Sequence, residues 1–293
     1  MNTLILEWNK FIRSKLFFVI LGVLLILFGS LFYKNYLDFQ QVDADKKHEL
    51  LKIRVEIENI LYPSDKNKVC IYSDDKEKMK LLNEALKITE KTLKDKHSGN
   101  EKAFMEDAVS MYEKIIEMHE NKIDFQFSKS YSEYEKERLT EILKIKGNFQ
   151  YEQAPLDGIL LIHNNIKYLL LGTFLVIVFY FFITSYLDFN NHKGFLFTLP
   201  INRNNFVISK AVISLLINII LIFVQLIVTL GFGNFLKWKS NFRYPVFSDM
   251  FGKFMPVSKA VCYYILIQIL LSFIVLFISV CVLRIYTNSK NKK

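Results

Sequence analysis

Apolar and charge-dense stretches alternate along this chain, and the long apolar stretches are four: Leu16–Tyr33, Tyr168–Leu187, Ala211–Leu236 and Ala260–Leu283. None contains Asp, Glu, Lys or Arg, and each is long enough to cross a bilayer as a helix, which takes roughly 20 apolar residues. The pattern therefore predicts an all-α integral membrane protein with four transmembrane helices. The first stretch follows a basic, amphipathic lead-in, MNTLILEWNKFIRSK, the arrangement of a signal peptide. Its apolar run of 18 residues exceeds the roughly 7–15 of such peptides, and no small-x-small cleavage site follows. It reads as an uncleaved first span, with Tyr33 to Tyr36 as an interfacial anchor.

Between the first and second stretches the period changes. Phe104, Met105, Ala108, Met111, Tyr112, Ile115 and Ile116 recur at three- and four-residue steps, the spacing of one helical face. Met79, Leu82, Leu86 and Leu93 lie on a heptad-like seam, and Tyr131, Tyr134, Ile142 and Ile145 suggest a further helix. Leu50–Leu61 is ambiguous, because Leu51, Ile53, Val55 and Ile57 also alternate as a strand would. Leu61–Lys68 and Lys96–Lys102 are turn-rich breaks. The expectation is a domain of three or four packed helices with solvated charged faces. The chain divides into a lead-in and first span (1–33), this domain (34–160), and spans two to four (161–293) with a polar elbow at 188–210. Lys237–Lys259, rich in aromatic and basic residues and broken by Pro245 and Pro256, suits a loop at the head-group level.

Composition changes the picture in one respect. The net charge of +9 would suit a nucleic-acid binder, but Lys34–Lys167 holds 23 Lys/Arg against 26 Asp/Glu. The positive excess therefore sits beside the apolar stretches, where basic residues anchor helix ends and meet anionic lipid. Charge bias does not choose an orientation. The lead-in, elbow and tail together carry ten Lys/Arg, and the competing Lys237–Lys259 loop carries five in half the length. Of three cysteines, Cys70 lies in the charged domain and Cys262 and Cys281 in the last span, which leaves no disulfide within the domain and no metal-ligand spacing. They read as inert apolar filler. The lone His163 reads as a polar residue at a helix entrance.

Candidate chemistry is sparse. The sequence has no phosphate-binding GxxxxGK[ST] loop and no GxSxG, HExxH, CxxC or GxGxxG motif. With no charge inside the four spans, a proton relay built on buried acids or bases is not expected. No metal or cofactor is expected on the chain, which is not an enzyme in its own right; energy has to come from a partner. Asn218 and Gln225 interrupt the third span. Uncharged amides there usually hydrogen-bond a neighbouring helix, and lining a transport path is the sharper alternative.

The elbow carries a recognisable pattern: Asp188 closing the second span, then Gly194, then Leu199-Pro200-Ile201-Asn202-Arg203, then Lys210 opening the third. This resembles the membrane (permease) subunits of ABC type-2 transporters, which carry an acidic residue, a Gly, a block of LPISR type and a Lys at these places. Asn202 stands where the block has Ser, and Asp188 where Glu is commoner. APLDGIL before the second span resembles the family's NPxxG entry, so the likeness covers Ala154 to Leu215. It implies that the elbow is a cytoplasmic coupling helix docked on a separate ATPase subunit, which binds the ATP. Asp188, Gly194, Phe195, Leu199, Pro200, Arg203 and Lys210 would form that contact. A Pro-initiated turn can start a short helix, and Phe195, Phe197, Leu199 and Arg203 are of the types enriched at binding hot spots.

The likeness further implies a bacterial cell membrane, cytoplasmic termini, an extracytoplasmic 34–160 domain, and cargo such as a bacteriocin or antimicrobial peptide, exported or kept out in immunity. The family has six spans and this chain offers four. It would be a short variant, a truncated product, or a chain complemented by a second permease copy or a different permease. A reading from another class is a non-transporting membrane receptor or scaffold whose external helical domain binds a partner.

Overall fold

A computed structural model describes residues 3–13, 15–63, 72–73, 75–165, 181, 184–185, 203–235, 241–249 and 251–290. The chain forms two compact units. An apolar unit takes 1–34, 161–240 and 259–293, and a polar unit takes 35–160 and 241–258. Its named helices are α1 (Thr3–Arg13), α2 (Lys15–Leu61), α3 (Lys76–Ser98), α4 (Glu101–Glu120), α5 (Lys129–Lys144), α6 (Arg203–Phe235) and α7 (Val257–Lys290). The described residues also include two short strands, β1 (Pro245–Ser248) and β2 (Lys253–Pro256).

In the polar unit, local chemistry sets the helix ends. Asp75 accepts from Lys78 N at 3.1 Å to cap α3, and Asn100 and Ser128 cap α4 and α5. Gly99, at φ +72°, closes α3 in the left-handed conformation that glycine adopts without strain. Only Gly99 and Asn100 separate α3 from α4, so the two helices pack as a hairpin. The stripe expected from Phe104 to Ile115 is buried, with Ile116 at its edge.

The ambiguous Leu50–Leu61 is helical. Leu50, Ile53, Ile57 and Leu61 are buried at three- and four-residue steps, and Leu51 and Val55 are exposed. The apparent alternation arose from adding two outward residues to the inward face. The heptad seam of α3 is shifted as well. Leu82 and Leu93 are buried but Met79 and Leu86 only half so, and Leu81, Ala85, Thr89 and Thr92 complete the inner face.

Two expectations are corrected here. The buried face of α5 is Ser132, Glu135, Arg138, Leu139 and Ile142, so part of the charge expected on the surface lies inside. And 241–258, expected as a loop, contains an antiparallel hairpin that belongs to the polar unit. Pro245 pairs with Pro256 at its open end, where ladder donors can be spared. Gly252, at φ +60°, turns the tip. Phe247 and Phe254 pack against Tyr134 of α5 with ring centroids 5.7 and 5.4 Å away.

In the apolar unit, two helices among the described residues are long and apolar enough to cross a membrane, Phe206–Gly231 and Val257–Cys281. Four were expected. The first expected span is the opening part of α2, which does not stop at Tyr33 but continues to Leu61. The second lies almost wholly outside the described residues. Only 39% and 22% of the two qualifying stretches are buried. A core helix of a soluble protein hides its apolar side chains; Phe223, Ile227, Leu266 and Phe277 point outward instead, each at least 60% exposed. Phe18, Val19 and Ile26 of α2 are likewise exposed.

Candidate functional site

Of the seven elbow residues, Asp188, Gly194, Phe195, Leu199 and Pro200 lie outside the described residues. Arg203 is the first residue of α6. Lys210, about two turns on, is 1% exposed. Its Nζ lies 3.8 Å from the carboxylate of Glu7, itself buried, and 5.1 Å from the centre of the Phe206 ring. Lys210 is thus inside the unit, holding α1, rather than on its surface.

The amphipathic pattern of the lead-in explains the docking. Phe11 packs with Ile213, Ile217 and Leu221 of α6, and Leu4 and Trp8 lie against the same cluster. A buried carboxylate and ammonium each carry a heavy desolvation cost, which mutual pairing offsets. Sequence reading missed Glu7, although it is the only acidic residue in the lead-in and faces the same way as the apolar Phe11.

The two interrupting amides of the third span belong to a larger feature. Ser214, Asn218, Gln225 and Thr229 are buried on α6, spaced so that they share one face. Gln268, Ser272 and Ser279 are buried on α7 at a similar spacing. Asn218 Nδ2 donates to Ser272 Oγ at 2.6 Å, and Ser272 Oγ donates to the Gln268 carbonyl at 2.8 Å. Val207 packs with Leu276 in a cluster that includes Phe181, so α6 and α7 run antiparallel along this polar seam. Gln225 lies on the seam at 6% exposure. Ser272 and Thr229 were not singled out from the sequence, since lone hydroxyls are unremarkable in apolar helices; only the shared spacing marks them.

The polar unit holds a second buried cluster. Lys46 Nζ donates to Glu49 Oε1 and to the Tyr112 hydroxyl at 2.8 Å each and to Tyr131 at 3.2 Å, with Glu135 Oε2 at 3.5 Å. Arg138 meets Glu135 at 3.2 Å and donates to the Gln150 carbonyl at 2.9 Å. Burial pushes the Lys46 ammonium down, but the oxygens of Tyr112, Glu135 and Glu49 more than offset it, and its pKa lies well above the usual range. Burial drives the Tyr112 hydroxyl the other way, well above the ordinary phenol. Both groups keep their protons at neutral pH. A fixed cation saturated by its own chain suits a structural joint between α2, α4 and α5 better than a reactive centre.

His163 stacks edge-on with Tyr264 at 5.9 Å. Cys262 and Cys281 are exposed on α7. Among the described residues no three His, Cys, Asp or Glu side chains converge as metal ligands would. No family model, no curated protein and no solved structure matches this chain.

Proposed function

We propose that this chain is the membrane-spanning subunit of a transporter driven by ATP hydrolysis on a separate partner, as in the ABC type-2 permeases its elbow resembles. The observation that carries the reading is the buried Glu7–Lys210 pair. The segment that leaves the elbow is tied to α1, and the same helix then runs along the polar seam with α7. A push on the elbow would be passed by packed helices, not lost in a loose loop. Nucleotide binding would close the partner, move the elbow and shift spans two and three between inward- and outward-facing arrangements.

The composition of the polar unit supports the topology. Residues 160 and 241 lie in one compact unit, where Asp157 Oδ2 accepts from Asn241 N at 2.6 Å. They must therefore be on the same side of a membrane, and the chain between them crosses it an even number of times. Two crossings, Tyr168–Leu187 and Ala211–Leu236, put the 188–210 elbow on the opposite side. With the elbow in the cytoplasm, the termini are cytoplasmic, the polar unit is external, and the protein sits in the cell membrane. A second permease, identical or different, supplies the remaining spans. A peptide or amphipathic cargo, as in bacteriocin export or immunity, rests on analogy with the family.

The test is capture of the partner. Affinity-purified protein should bring down an ATP-hydrolysing polypeptide carrying a phosphate-binding loop, and Phe195→Ala with Arg203→Ala should remove it. Unchanged capture by the double variant would overturn the reading.

A further inference from the structure

The seam between α6 and α7 holds more hydrogen-bonding capacity than it uses. Among the described residues Asn218 Oδ1, Thr229 Oγ1 and Ser185 Oγ are closed off from water and meet no hydrogen-bond partner. Asn218 and Thr229 are 1% and 2% exposed, and they sit eleven residues apart on one face, ~16 Å along the helix. Buried polar atoms are normally satisfied, and leaving one bare forfeits the hydration it would otherwise have. Here three are bare in one unit. All seven buried polar side chains of the α6 and α7 faces named above are neutral, and neither Ala211–Phe235 nor Ala260–Cys281 contains a charged residue.

We propose that the α6–α7 seam is a binding cleft for neutral hydrogen-bond-donating molecules, held shut in this structure by the Asn218–Ser272 hydrogen bond. Opening it brings water, and then the ligand, to the carbonyl of Asn218 and the hydroxyl of Thr229. The bare atoms favour opening and the Asn218–Ser272 bond opposes it. The apolar side chains that α6 and α7 bring together, Val207, Ala211, Leu215, Leu276 and Val280, form its walls, so the part of a ligand seated here is apolar apart from its N–H or O–H donors. An ion finds no counter-charge in the cleft and is rejected by the cost of its desolvation. This deepens the transport reading and rests on it for its purpose, but not for its test.

The test places one cysteine in the seam, Gln225→Cys, in a full-length background carrying Cys70→Ser, Cys262→Ala and Cys281→Ala, reconstituted in lipid nanodiscs. Three methanethiosulfonates of similar size serve as probes: hydroxyethyl (neutral), sulfonatoethyl (anionic) and trimethylammonioethyl (cationic). The neutral reagent should label at least about tenfold faster than either ion, because an uncharged cleft penalises charge. Ser272→Ala, which removes the restraining bond, should speed labelling about fivefold, the worth of one net hydrogen bond. Thr229→Val, which removes a bare hydroxyl from the closed state, should slow it by a similar factor.

The opposite signs are the signature. Loss of packing alone would speed labelling in both variants. The proposal fails if the ions label as fast as the neutral reagent, if no reagent labels, or if the two substitutions shift the rate in the same direction or not at all. Partner capture can succeed or fail independently of every one of these results.

Discussion

At the scale of single residues, charges are the informative side chains, because the ones that matter are buried. Replacing Lys210 by Met removes the ammonium that lies 3.8 Å from the buried Glu7 carboxylate, and Glu7→Gln removes that carboxylate's charge from beside Lys210. Each single change should cost about 3 kcal/mol, as breaking a buried pair does, and the double change less than the sum. Unfolding of the purified protein in detergent, followed by denaturant titration, gives the cycle. Lys46→Met should be comparably costly, about 3 kcal/mol, because it takes the ammonium from Glu49 and leaves Glu135 with Arg138 alone of the two cations beside it.

Asp43 supplies a pH dependence. Burial raises its carboxyl, but hydrogen bonds from Lys47, Tyr151 and Lys96 outweigh that and hold its pKa well below the usual carboxylate range. A lowered folded pKa means stability that is present above the unfolded value of about 4 and lost as pH falls through the folded one. Thermal melts of the wild type should therefore decline below about pH 4, and Asp43→Asn should flatten that decline while lowering stability at neutral pH. Residues of this kind were hidden from sequence reading. Lys46, Glu135 and Arg138 stand among dozens of similar charges, and nothing in their spacing separates a buried ion network from a solvated face. Only the fold reveals the difference.

Elements were more legible, for a physical reason. A helix face repeats, so Phe104 to Ile115 could be read from period alone, and Asn100, the cap of α4, falls within the turn-rich break read at Lys96–Lys102. The hairpin at 245–256 was not read, because four-residue strands are too short to show a period and their stability comes from α5. Its one local sign was Gly252 beside a run of aromatics.

The polar seam was half legible. Asn218 and Gln225 stood out as amides in an apolar run, whereas Ser272 acquired meaning only when α7 brought it within 2.6 Å of Asn218. Asp157 is the joint between elements. Its carboxylate accepts from Ile159 N at 2.8 Å, capping the helical residues 158–165, and from Asn241 N on the way to the hairpin. Asp157→Ala should cost about 1–3 kcal/mol, and amide exchange should accelerate from Asn241 to Tyr244 while α3 and α4 stay protected.

At the scale of the whole molecule, the decisive prediction concerns sides. Reporter fusions at Asp95 and at Asn241 must score alike, since both positions belong to the polar unit. A fusion at Asn190 must score opposite to them. Agreement of all three would remove the two-crossing topology, and with it the coupling role of the elbow. Composition alone made the apolar character plain, but a count of Lys and Arg could not orient the chain, because competing segments carry similar charge. The discontinuous make-up of the polar unit, invisible in one dimension, is what ties Asp95 and Asn241 to one side.

That discontinuity also sets an order of events during synthesis. Residues 35–160 leave the ribosome first, yet the hairpin that covers Tyr134 and satisfies Asp157 is made some eighty residues later. At roughly 5–20 residues per second the wait is on the order of ten seconds. During it the nascent unit shows an aromatic patch and an unanswered carboxylate. A chain cut short before Asn241 would keep them exposed for good. Completion of the polar unit thus becomes a built-in checkpoint: native protease resistance appears only once residues 241–258 have been made and have joined residues 35–160.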